Sequence, residues 1–367
     1  MELSTADVLA AMCFAREDPS LRPNSARTTA LVRIDRGAYL DPSLIPIDAK
    51  PWEIERTVTK ARCHALARRT RRSDTHPYLS TPILTGEAAM VAAGAGTWDP
   101  LPAITFRDEV QPCVRSPFPA ARLAGKRVPP VRVLQLASTP SLASISAEFQ
   151  GIQLPAVPLL VADLARTAHP VSAYANICTT FSRVTEFDNR DQGASRARES
   201  ALRTEILQAL SPFDSTRAIA QIRALIARAD AGAGSVWQGG FLWMLHCWLK
   251  PSISWESQYH VSLDGMNYYC DAAIPEMKIS LEFEGTGKLG QTEQEWRQRS
   301  RDFLRRAQSF SRHGWTTVRL TAPDFRNVEA AMWTLGQDLD RLDIARRRPG
   351  GPLWKPLGVG DASYQRH

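Results

Sequence analysis

At 367 residues, 44% of them hydrophobic and 23% charged, the chain has enough apolar material to bury ample core in two or three domains. Lys and Arg outnumber Asp and Glu by 45 to 38, a surplus of seven that suits a phosphate-bearing partner without demanding one. The six cysteines (13, 63, 113, 178, 247 and 270) include no C-x-x-C pair and no apolar run approaches about 18 residues, which argues against a zinc site, a disulfide framework and a membrane span; a cytoplasmic protein is expected.

Residues 2–16 pattern as a short helix capped by Ser4 or Thr5, with Val8, Leu9, Met12 and Cys13 on one side. Ala30 to Leu40 then reads as strand, tight turn at Arg36-Gly37, strand. A small helical unit followed by a wing carrying Arg33 and Arg36 suggests a winged-helix-like DNA-binding region over 1–75. Fewer than thirty residues precede the wing, where that fold needs three helices. Trp52 to Arg72 follows as a strongly basic helix carrying Arg56, Lys60, Arg62, Arg68, Arg69, Arg71 and Arg72. Two readings stand for it: a solvated basic face over inward Ile54, Val58, Ala61 and Ala65, or a helix that contacts phosphates. The terminal arginines also suit the negative end of the helix dipole.

Residues 76–190 mix short strands (102–106, 131–134, 151–154) with Pro- and Gly-rich connectors and a helix over 158–168, fitting an α+β middle domain. The polar stretch Phe187 to Gly193 reads as a linker. Beyond it, 191–345 carries helices at Ser195–Leu210 and Ser215–Ala229, then a Trp-rich helix from Ser235 and a strand over Ile253–Val261. An acidic hairpin comes next, followed by a charged helix over Glu293–Arg312 with Trp296, Phe303, Leu304 and Phe310 inward. A strand over Gly314–Thr321, a closing helix and a loosely ordered tail at 346–367 complete the chain. The order helix, three strands, helix, strand, helix describes an α/β core with a mixed sheet.

The hairpin, Tyr268 to Gly285, holds the chemistry. Aromatic and β-branched residues run into Pro275-Glu276, and Lys278 to Phe283 alternates as a second strand. A turn centred between Glu276 and Met277 sets Asp271 opposite Glu282, with Glu284 two residues on and therefore on the same face. Like charges placed so are destabilising. Three carboxylates on one face are either solvated, or they hold a divalent cation such as Mg²⁺ or Mn²⁺. A register slip of one residue moves Asp271 to the other face. The apolar neighbours Ile274, Ile279, Leu281 and Phe283 favour the cation.

Asp271, then Glu282-Phe283-Glu284-Gly285, Arg301-Asp302, the strand Gly314–Thr321 and Asp324 together resemble the Vsr-like branch of the PD-(D/E)xK nuclease superfamily. Across its length the chain is similar to actinobacterial proteins that join an AbiEi-type antitoxin region to such a domain. Arg36-Gly37-Ala38-Tyr39, Leu84 to Ala89 and Ala162 to Arg166 carry that part of the likeness. The resemblance implies a restriction-endonuclease-like core and metal-dependent cleavage of DNA in repair, restriction or phage defence. Asp271, Glu282, Glu284 and Lys288 would be its catalytic residues. Asp271, Glu282 and the residue at Gln238 would hold Mg²⁺ or Mn²⁺. Arg33, Arg36, Arg68, Arg69, Arg71, Arg72, Arg301 and Arg305 would meet DNA, and a cognate toxin or defence protein is a further expected partner. The chain departs from the pattern where Gln238 replaces the family's glutamate, where Glu284 is the longer of the two acids, and where Lys288 is the nearest cation in place of a histidine. Those departures keep a second reading open: a non-catalytic antitoxin-type transcriptional regulator with a degenerate nuclease fold.

Overall fold

Local sequence sets the first elements of the computed structural model, which describes residues 2–18, 20–21, 26–69, 82–108, 116–136, 146–210, 219–285 and 293–357. Ser4 and Asp7 close a capping box that starts α1 (Thr5–Ala10). The helix stops there, short of the expected residue 16, because the chain turns directly into β1 (Met12–Phe14). After α2 (Ala26–Thr29), β2 (Val32–Asp35) and β3 (Ala38–Leu40) form the expected strand–turn–strand hairpin. Gly37, at φ +72°, supplies the left-handed backbone that its turn requires. The three strands pair antiparallel in the order β1-β3-β2.

Next comes α3 (Pro51–Arg69), then β4 (Ile83–Thr85), α4 (Gly86–Ala92) and β5 (Ile104–Arg107). β6 (Ala121–Leu123) and β7 (Lys126–Val128) make a separate hairpin, and β8 (Val133–Leu136), β9 (Ser146–Phe149), β10 (Ile152–Pro155) and α5 (Val157–Thr167) follow. A five-stranded mixed sheet runs β8-β5-β4-β10-β9. One hydrophobic core joins Val8, Ile34, Val58, Leu66, Phe106 and Ile152. Residues on both sides of the expected boundary at 75 share this core. Its polar centre is Asp163, fully buried, which takes both a 2.5 Å and a 2.8 Å bond from Arg107 and a third from the Thr85 hydroxyl.

Ile54, Val58, Ala61 and Ala65 face inward as expected, and the expected solvated face needs correction at three of its basic residues. On α3, Arg56, Lys60 and Arg62 are buried, Lys60 at 1% exposure and Arg62 at 0%. Arg56 and Lys60 share the carboxylate of Glu2, at 2.8 and 2.7 Å. Arg62 donates to the Pro119 and Pro129 carbonyls, each at 2.8 Å. Buried charges need such partners, because desolvation otherwise costs several kcal/mol per ion, roughly. These side chains hold unit one together and face no phosphate.

The chain divides into two compact units, Met1–Thr167 and Ala168–His367. The second opens with α6 (Pro170–Thr185), a helix that sequence reading left unassigned. Most of its residues from Pro170 to Phe181 are buried, so no polar stripe marks a helical period. α7 (Gln192–Ala209), α8 (Ile219–Arg228) and α9 (Val236–Trp248) follow. Gly239 on α9 is required by packing: a Cβ there would lie 2.7 Å from the Ala175 Cα of α6. The expected linker at Phe187–Gly193 lies within this unit, where the Ser195 hydroxyl ties down the Asp188 backbone.

β11 (Glu256–Leu263), β12 (Met266–Ile274) and β13 (Ile279–Glu284) form an antiparallel meander. α10 (Glu293–Arg312) carries the chain to β14 (Thr316–Thr321), which pairs parallel to β13, and α11 (Val328–Arg341) closes the unit. Helix, three strands, helix, strand, helix is the order expected. The tail departs from expectation up to residue 357. The Trp243 indole donates to the Leu353 carbonyl at 2.8 Å, Trp354 stacks on Trp243, and Arg347 caps the carbonyl end of α9 through His246. On α10, Phe310 is buried as expected, whereas Phe303 and Leu304 are exposed. Among the described residues no helix is long and apolar enough to cross a membrane.

Candidate functional site

The β12–β13 register pairs Ile274 with Ile279, Ala273 with Ser280 and Ala272 with Leu281, so its continuation sets Asp271 opposite Glu282 as the hairpin reading expects. Regular pairing stops at Ala272, and Asp271 Oδ2 accepts a 2.8 Å bond from the Phe283 amide instead. Asp271 thereby substitutes for a backbone carbonyl at the point where the strands open. On its other side Ser257 pairs with Ala272 and Tyr259 with Cys270, which brings Gln258 level with Asp271. Gln258 sits at φ +50°, a local break in β11. Glu282 pairs in turn with Arg319 of β14. One row across the sheet therefore reads Gln258, Asp271, Glu282, Arg319.

The first three of these, with Asn189, Gln238 and Arg306, help line a polar cleft of about 300 Å³. Asp271 is 8% exposed and Glu282 5%. Ser235 caps α9 by accepting from the Gln238 amide, which fixes Gln238 in the first turn. From there its Nε2 donates to Asp271 Oδ1 at 2.7 Å. Glu282 Oε1 accepts from the Ser280 hydroxyl at 3.0 Å and from Arg306 at 2.5 Å. The same Arg306 nitrogen donates to the Tyr269 carbonyl at 2.9 Å, and the guanidinium lies over the Tyr268 and Phe310 rings. Adjacent Cys270 supplies no nucleophile, since burial pushes its thiol up to about 12.

Of the expected catalytic set, the cleft unites Asp271 and Glu282 and leaves out Glu284. Glu284 is half-buried and pairs with Arg319 at 3.6 Å. Lys288 lies outside the described residues, as do Arg71, Arg72 and the side chain of Arg69. Arg33 and Arg36 are exposed on the wing. Arg68 pairs with Glu17 at 2.7 Å and lies over Phe14. Arg301 and Arg305 are exposed on α10 and, with exposed Arg297, form a stripe at four-residue spacing. Sequence reading missed Arg306, Gln258 and Asn189 as cleft residues. For Arg306 a signal existed: it stands four residues before inward-facing Phe310, and so on the same helical face.

Both acids of the expected metal site accept from donors of the chain itself. Mg²⁺ demands near-octahedral oxygen coordination. A carboxylate only accepts hydrogen bonds, so Gln238 turns its nitrogen, not its oxygen, toward Asp271. A guanidinium already neutralises Glu282. Among the described residues no three His, Cys, Asp or Glu side chains gather to hold a metal. Set against known proteins, the chain matches no family model, no curated protein and no solved structure.

Proposed function

We propose that the chain is a DNA-binding protein of the antitoxin-regulator kind, whose nuclease-like C-terminal unit binds the duplex without cutting it. The observation that carries this reading is the wiring of the acid pair: Glu282 to Arg306 and Asp271 to Gln238. Both acids accept from donors on the protein itself. The exposed stripe Arg297, Arg301, Arg305 and the wing arginines Arg33 and Arg36 suit phosphate contacts, which position a protein on DNA without reading sequence. The formal charge of +7 is of the same sign.

A second reading, a metal-dependent DNA endonuclease, is favoured by one observation: Asp271 and Glu282 face the same cleft. Plasmid and short duplex DNA incubated with Mg²⁺ or Mn²⁺ separates the two. Salt-sensitive binding with intact DNA supports the regulator. Cleavage by the wild type that Asp271→Ala and Glu282→Ala both abolish would establish the endonuclease in its place.

A further inference from the structure

We infer that Arg306 is the resident counter-ion of the acid pair and keeps divalent cations out of the cleft, an inference that rests on the non-cutting reading above. Glu282 is almost fully buried beside Asp271, and two neighbouring carboxylates in a desolvated cleft repel each other. Something positive must offset them. In many acid-lined sites a divalent ion does so; here the guanidinium reaches Glu282 from α10 at 2.5 Å. The Tyr269 carbonyl and the Tyr268 and Phe310 rings hold the guanidinium in place, so its position is fixed by several contacts. Gln238 completes the arrangement from α9 by giving Asp271 a neutral donor.

Electrostatics makes the two occupants exclusive. A dication entering between Asp271 and Glu282 would stand within several ångströms of the Arg306 charge, where repulsion is worth several factors of ten in affinity even at the effective dielectric of a protein surface. It would also have to displace the Arg306 and Gln238 hydrogen bonds, each made to a charged group and so among the stronger ones. Removing Arg306 takes one positive charge from beside two adjacent carboxylates and so raises their attraction for a cation.

The test is a calorimetric titration of the full-length protein with Mn²⁺ in the absence of DNA. Arg306→Gln is expected to bind Mn²⁺ at least about tenfold more tightly than the wild type. Arg306→Lys, which keeps the charge, should behave as the wild type does. Asp271→Asn combined with Arg306→Gln should lose the gain. Equal affinity in the wild type and Arg306→Gln overturns the inference, and so does a gain that survives Asp271→Asn. Should Arg306→Gln fail to fold, the wild type alone still decides: tight Mn²⁺ binding that Asp271→Asn removes contradicts an arginine-filled site, and its absence upholds one. Because DNA is left out, these outcomes are separate from those of the cleavage assay, which bears on the functional reading itself.

Discussion

Two basic helices, one in each unit, have opposite fates. α3 carries Arg56, Lys60 and Arg62 into the core of unit one, where Glu2 and two proline carbonyls receive them. α10 exposes Arg297, Arg301 and Arg305 and turns Arg306 toward Glu282. A count of arginines treats the helices alike. What separates them, among the described residues, is where the side chains are delivered: three basic residues of α3 into the core, three arginines of α10 to the surface. Basic composition is therefore a statement about charge, and function depends on where the charge is delivered.

Glu2→Gln leaves Arg56 and Lys60 without their carboxylate, and urea unfolding should show a loss of about 3 kcal/mol. A loss below about 0.5 kcal/mol, the range of ordinary surface changes, would mean that the α3 charges are not structurally committed. His64, on the same helix, gives a pH test of similar size. Burial lowers its pKa from the usual 6.5 to about 4, so the folded state holds it neutral while the unfolded chain protonates. Its contribution is complete above pH 6.5 and is lost as pH falls toward 4, by up to about 3 kcal/mol. His64→Leu should flatten that acid limb in a series of melts across the window.

Smaller effects are expected on α9 and α10. Gly239→Ala pushes a Cβ against the Ala175 backbone, and overpacking of that kind costs about 2 kcal/mol. Because Gln238 is the neighbouring residue, this variant should also loosen its bond to Asp271, seen as a changed Gln238 side-chain amide signal in NMR. Arg301→Ala and Arg305→Ala should shift stability by less than about 0.5 kcal/mol. Each should nevertheless lower the salt slope of duplex binding by about one. Arginines that change stability but leave the salt slope alone would place α10 with α3 after all.

Much of the fold was legible because it rests on neighbours in sequence. Ser4 and Asp7 spell their own cap, Arg36-Gly37 its own turn, and Pro275-Glu276 sets the register that brings Asp271 level with Glu282. What escaped depends on distant partners. Nothing near Lys60 in the chain announces Glu2, and nothing near Glu282 announces Arg306. α6 escaped for another reason: burial on nearly every side removes the polar period by which a helix is read. The expected third acid, Glu284, has the right alternation but lies beside Arg319, and alternation alone carries no information about that neighbour.

The most direct test of the central claim is duplex DNA binding measured by fluorescence anisotropy across a salt series, once with Mg²⁺ and once with EDTA, with the DNA recovered and sized afterwards. Binding should weaken steeply with salt, keep the same affinity in both buffers once ionic strength is matched, and leave the DNA at unchanged length. Binding that requires Mg²⁺, or DNA shortened by the wild type and left whole by Asp271→Ala, would contradict that claim.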